Sequence, residues 1–188
     1  MFWICNNRSG SRSLTFPVCL IILVFFFQTG KSFCQAGTVA DSLEDKLVIT
    51  EDGKMKAEIL TGLVEAYMIT DPGKAMEYSD RLLDLSNEID YDEGIIDAYS
   101  FKGRLFRNAY SYDTALFYTD EAIEFAGETG HNARMGRDYS EKGHTTFRKS
   151  GPAKGIEFYR KSYNIFRAMN DSAGLSTALN GIGVMHMR

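Results

Sequence analysis

The chain reads as an all-α solenoid of stacked antiparallel helix pairs. Three observations carry that expectation. Similar residues recur 40 positions apart without gaps, as at Gly103, Gly143 and Gly183 or Tyr78, Tyr118 and Phe158. A fixed period in the range of about 20–50 residues marks a repeat array. Within each period, apolar residues fall three or four apart, which places them on one helix face. Finally, only three prolines occur in 188 residues, and proline is what most often interrupts a long helix.

The first 36 residues read as an address. Arg8 and Arg12 precede an apolar run from Leu14 to Phe27, and small residues follow at Cys34 and Ala36. A basic start, a short apolar run and a small-residue site are the parts of a secretory signal peptide. Cleavage is expected after Ala36. The run is short for a membrane span, which needs about 20 apolar residues, so contact with the membrane is expected only if the segment stays uncleaved. Phe33 is too large for the position before a lipidated cysteine at Cys34. All three cysteines (Cys5, Cys19, Cys34) precede the cut. The exported chain then has no disulfide and no thiolate chemistry.

The segment 37–54 is expected to hold a linker and a capping helix over 39–49. The repeat array follows over 55–188, in units of 55–91, 92–131, 132–171 and a partial 172–188. Helices are expected at 55–69, 73–88, 92–108, 112–128, 132–148, 153–169 and 172–188. In the first helix of the central unit, Ile95, Ala98, Tyr99, Lys102, Gly103 and Phe106 share one face. In the second, Ala115, Tyr118, Ala122 and Phe125 form the apolar stripe. Helix-interior glycines cost about 1 kcal/mol each relative to alanine, which a close approach of the next helix would offset. The turns carry Thr70-Asp71-Pro72-Gly73, Asn108-Ala109-Tyr110-Ser111 and Ser150-Gly151-Pro152, with Ser111 as a cap. Proline in the first turn of a helix loses no hydrogen bond. The last copy stops after its first helix, leaving the stripe Leu175, Leu179, Ile182 and Met185 to be covered. The chain thus reads as the front part of a longer protein. If it ends there, that end is expected to self-associate or fray, because arrays otherwise close with a polar cap.

These residues resemble the tetratricopeptide repeat. Tyr99, Gly103, Tyr112, Ala115, Tyr118 and Ala122 fit its pattern in the central unit. Tyr139, Gly143, Gly155, Phe158, Tyr159 and Ser162 fit it in the next, and Leu179, Ile182 and Gly183 begin a further copy. The first unit keeps Ile59, Leu63, Ala75, Tyr78 and Leu82 but lacks the glycine or shifts it to Gly62. The resemblance covers Met55 to Arg188. It implies a right-handed superhelix whose first helices line a concave groove. The family's usual period is about 34 residues; six more make about 1.7 helical turns. That length is similar to the long-helix variety in exported bacterial proteins, including the N-terminal parts of sensor histidine kinases and transcriptional regulators. A truncated sensory region of such a protein is the alternative reading.

On that fold, the groove would present Asp97, Ser100, Arg104, Arg107 and Asn108. Further along it would present Arg137, Ser140, His144, Phe147 and Arg148, and then Thr177, Asn180, Val184 and Met187. The earliest unit would offer Leu60, Val64, Tyr67 and Met68. Arg104, Arg107, Asn108, Arg137, His144, Phe147 and Arg148 form the candidate partner-binding set. Guanidinium groups pair with carboxylates, so an acidic protein or peptide is the expected partner.

Other chemistry is not expected. Removing Arg8, Arg12 and Lys31 with the leader leaves 18 cations against 25 anions, a net charge of −7. That balance disfavours nucleic acid. No Walker sequence, dinucleotide fingerprint or nucleophile elbow occurs. His131, His144 and His186 lack metal-binding spacing, with His131 expected in a turn and His186 packed. Asp120, Glu121 and Glu124 read as an outer, solvated face, and Tyr110 and Tyr112 as exposed turn residues. The expectation is a non-catalytic interaction scaffold of the bacterial envelope, needing no cofactor. A hydrolase on a helical scaffold would need a clustered nucleophile and base, and none is evident.

Overall fold

The computed structural model of the chain describes residues 39–187. The expected leader, its cleavage point after Ala36 and Cys5, Cys19 and Cys34 lie outside those residues. The described residues form α1 (39–49), then α2 (Gly53–Tyr67), α3 (Pro72–Glu88), α4 (Asp92–Asn108) and α5 (Tyr112–Glu128). After these come α6 (Asn132–Ser150), α7 (Pro152–Met169) and α8 (Ser172–His186). None of these helices is long and apolar enough to cross a membrane.

The caps set the helix limits. Helix α2 starts at Gly53, before the expected position 55, because the Asp52 carboxylate accepts the Met55 N–H at 2.7 Å. Asp71 does the same for Lys74 at 3.1 Å, and Pro72 follows at the start of α3. Asp171 accepts from Ala173 and Gly174. Ser111 does stand at the N-cap position of α5, but its side chain makes no capping bond.

The stop signal repeats with the array. Asp90, Gly130 and Asn170 take left-handed backbone, with φ of 52°, 79° and 56°. Each lets the next residue reach back: Tyr91 N–H to Ser86 C=O at 2.8 Å, His131 to Ala126 at 2.8 Å and Asp171 to Phe166 at 3.0 Å. This is the Schellman closure of a helix end.

The helices form two layers. Each helix from α2 onward packs on its sequence neighbours. In addition α2 touches α4, α4 touches α6 and α6 touches α8, whereas α3, α5 and α7 do not touch one another. The even-numbered helices therefore form a continuous inner layer, and each odd-numbered helix wedges in from outside. The first core cluster joins Leu63, Val64, Tyr78, Leu82, Phe101 and Leu105. A second joins Ile96, Ala122 and Ala126. Leu60, Val64 and Met68, expected in the groove, are buried in the first cluster, because α4 lies against that face of α2.

Glycine permits the close crossings. A Cβ on Gly103 would come 2.6 Å from the Thr119 hydroxyl, and one on Gly143 would come 2.7 Å from the Tyr159 ring. Gly183, the third in that series, is exposed with open space around it. The packing role passes instead to Gly174 and Gly181. There a Cβ would collide with the rings of Phe166 and Tyr159 respectively.

Helix α1 caps the stack, with Leu43 and Leu47 on the first core cluster. Its Glu44 accepts from Tyr67 Oη at 2.9 Å and Tyr78 Oη at 2.8 Å, and Lys74 Nζ lies 3.4 Å away. The Tyr78 and Tyr67 hydroxyls hold the Glu44 carboxyl below its ordinary 4.5. A depressed carboxylate adds stability above its unfolded value and loses it as pH falls through the folded one. Hydrogen exchange over 39–49 is therefore expected to rise, relative to that of α4 and α5, as pH falls below the carboxyl's ordinary 4.5. Glu44→Gln should bring that exchange forward to neutral pH.

Candidate functional site

The inner layer carries a groove made of adjoining clefts. The first, about 200 Å³, lies between α2, α4 and α6, and its lining includes Glu65, Asp97, Arg104, Arg137 and Asp138. The second, about 660 Å³, lies between α6, α7 and α8 and is lined by Arg134, Arg137, Phe166, Asp171 and Thr177, among others. A third, about 270 Å³, is more apolar, with Phe147, Tyr159, Val184 and Met185 beside His144. A fourth, about 220 Å³, is lined by Arg107, Asn108, Tyr110, His144 and Arg148. Neighbouring clefts share residues: Arg134, Arg137 and Glu141 join the first two, Ser140, Glu141 and Thr177 the next, and His144 the last.

All seven sequence-predicted residues therefore line this one surface, but not as one set. Arg104 and Arg137 sit together in the first cleft. Arg107, Asn108, His144 and Arg148 meet in the fourth, and Phe147 joins His144 in the third. Several carry less free charge than expected. Arg107 is half-buried and ion-paired to Glu141. Arg137 is largely exposed and lies 3.8 Å from Asp97. Among the described residues, Arg104 and Arg148 pair with no carboxylate. The Arg104 guanidinium lies 5.7 Å over the Phe101 ring, and that of Arg148 lies 5.7 Å over Tyr110.

Ser140, which lines the second and third clefts, is itself largely buried and bonded to Ser162 at 2.7 Å. Thr177, Asn180 and Met187 are exposed, as expected of groove positions. His131 does stand in a turn, as the N-cap of α6, with Nε2 3.8 Å from Asp92. His186 is exposed, not packed, because no element lies against that side of α8 among the described residues. Tyr110 is exposed and Tyr112 only partly so.

Sequence reasoning missed the polar links between inner helices. Arg134 donates to both Asp97 oxygens, at 3.0 and 3.2 Å, and lies 3.4 Å from Glu93. Ser100 Oγ lies 2.6 Å from Asp138 Oδ1 and 2.9 Å from the Ile96 carbonyl. Asp138 is 4% exposed and its other oxygen has no partner. Burial pushes its carboxyl up to about 7, against the Ser100 hydrogen bond. His144 moves the other way: burial lowers it, and Arg107 adds to that. The residue offsets of these links are 37 and 38, not 40. Facing positions on successive inner helices are thus staggered relative to the repeat. Among the described residues, no three histidine, cysteine or acidic side chains are grouped to hold a metal ion.

No family model matches the sequence, and no curated protein matches it. Solved structures do. One is a Rap protein complexed with Competence and Sporulation Factor, at 20% identity and TM-score 0.66 over 81% of this chain. Another is BtubC (BKLC) from P. vanneervenii, at 14% identity and TM-score 0.66 over 84% of this chain. The chain spans 45% of the first and 65% of the second, less than two thirds of either. At such identities the likeness concerns the fold alone. That fold is an all-α, right-handed superhelical solenoid of antiparallel helix pairs, of the tetratricopeptide-like kind.

Proposed function

We propose that the chain is a non-catalytic scaffold that binds a partner protein or peptide along the concave face of α2, α4, α6 and α8. The observation that carries this reading is the continuity of the groove. Arg104, Arg137 and Arg148 stand along it without a strong internal carboxylate partner, and an apolar cleft beside Phe147 adjoins them. Exposed guanidinium groups fit carboxylates on an acidic partner segment, and aromatic walls suit an apolar side chain between them. The Rap structure supports the reading by analogy of fold, since it holds a bound factor. The N-terminal segment, with its basic start and apolar run, would deliver the scaffold to the cell envelope.

The test is the pair Arg104→Ala and Arg148→Ala in one chain, with a partner recovered by pull-down. Affinity should fall at least about tenfold, or about 1.4 kcal/mol, and the loss should shrink in high salt. Unchanged affinity would remove the arginines from the interface.

A further inference from the structure

We infer that the cleft at the Arg107–Arg148 end of the groove seats a phosphoryl group carried on a side chain of the partner. The inference rests on the reading of the concave face as the binding surface, and names one chemistry for one part of it.

All five side chains lining this cleft can donate a hydrogen bond, and none is a carboxylate: Arg107, Asn108, Tyr110, His144 and Arg148. Two of them are held in place beforehand. The ion pair to Glu141 fixes Arg107. Arg148 stacks 5.7 Å over the Tyr110 ring, and its Nε lies 3.5 Å from Tyr112 Oη. Tyr110 itself sits in left-handed backbone, with φ 62°. That backbone closes α4 as at the other stops, with the Ser111 N–H reaching back to the Phe106 carbonyl at 2.9 Å. This turn sets the Tyr110 ring beside Tyr112, edge-on at 6.3 Å.

Charge selects among oxyanions. His144 faces Arg107 on α4 and Glu141 and Arg148 on α6. Around it in the adjoining cleft lie Tyr159 on α7 and the uncharged Thr177 and Asn180 on α8. Without a ligand, burial and then Arg107 keep the imidazole below its ordinary 6.5. An arriving anion reverses that balance and draws a proton onto the ring. Arg107, Arg148 and protonated His144 against Glu141 then leave two positive charges. A phosphoryl dianion matches them, with three acceptor oxygens for the donors; a carboxylate leaves one charge and several donors unmet. The apolar cleft sharing His144 suits a ring or aliphatic chain attached to the phosphoryl group.

The probes are phenyl phosphate, benzoate and inorganic phosphate, each titrated into the full chain while the three histidines are followed by NMR. Phenyl phosphate should saturate the His144 signals and raise the midpoint of its titration. It should bind at least about tenfold more tightly than benzoate, and more weakly as pH rises through that raised midpoint. His131 and His186 should stay unmoved, and Arg148→Gln, at an exposed position, should abolish the effect in a chain that still folds by circular dichroism. Benzoate binding as tightly as phenyl phosphate would overturn the inference. So would equal binding of inorganic phosphate, which would make the cleft a free-anion site, or equal shifts at all three histidines. If partner binding still falls in Arg104→Ala while phenyl phosphate has no effect, this inference fails and the groove reading stands. If neither responds, both fail.

Discussion

Replacing Phe166 with alanine is expected to destabilise the chain by about 3–5 kcal/mol. The ring is 2% exposed. It comes from α7 and wedges between Gly136 of α6 and Gly174 of α8. A Cβ on Gly136 would come 2.9 Å from it, and one on Gly174 would overlap it outright. The neighbours therefore lack side chains that could fold into the space, and the cavity stays open. Tyr159 repeats the arrangement about two turns away, between Gly143 and Gly181. Because both rings hold α8 onto α6, the loss should fall first on α8. Urea unfolding should show the lower stability, and hydrogen exchange should show α8 opening ahead of α4 and α5. A loss under about 1 kcal/mol would mean that the two rings do not clasp α8.

Replacing Asp138 with asparagine is expected to stabilise the chain at neutral and higher pH. The carboxyl lies between α4 and α6, with one oxygen near Ser100 and the other unpartnered. Burial pushes it up to about 7 from the ordinary 3.8. Between those values the folded chain holds a proton that the unfolded chain has released. Stability therefore falls as pH rises through that interval, and levels off above about 7. Asparagine keeps the shape and removes the charge. At about pH 8 the gain should be about 1–3 kcal/mol, the usual penalty of a buried group without its partner, and below about pH 4 it should vanish. Thermal unfolding across that range measures both. Parallel pH profiles for the two chains would contradict the buried, ionising Asp138.

Most of the fold was legible because it is local and periodic. The helices expected over 92–108 and 112–128 occupy those spans. The stops at Asp90, Gly130 and Asn170 share both the period and the left-handed backbone. What the sequence hid is the relation between units. Period alone places Gly183 with Gly103 and Gly143, yet the close contacts fall to Gly174 and Gly181. Likewise Leu60, Val64 and Met68 have groove spacing but are covered by α4. Both differences follow from how far successive inner helices are staggered, a quantity set by packing rather than by composition. The same stagger brings Glu141 to Arg107 and Arg134 to Asp97, so part of the expected positive surface is neutralised from within. Offsets of 37 and 38 carry the Asp97–Arg134 and Ser100–Asp138 links, and an offset of 34 the Arg107–Glu141 pair, so a search for opposite charges or hydrogen-bonding pairs at 34–38 rather than 40 would have found them.

The central claim is that partners dock on the inner layer, and site-specific photo-crosslinking tests it most directly. One chain would carry a benzoylphenylalanine at Arg137, which is exposed and shared by the first two clefts. A second would carry it at Glu157, exposed on the outer helix α7. The scaffold reading predicts a partner adduct from position 137 and none from 157. An adduct from 157 with none from 137 would place recognition on the outer face and contradict the account.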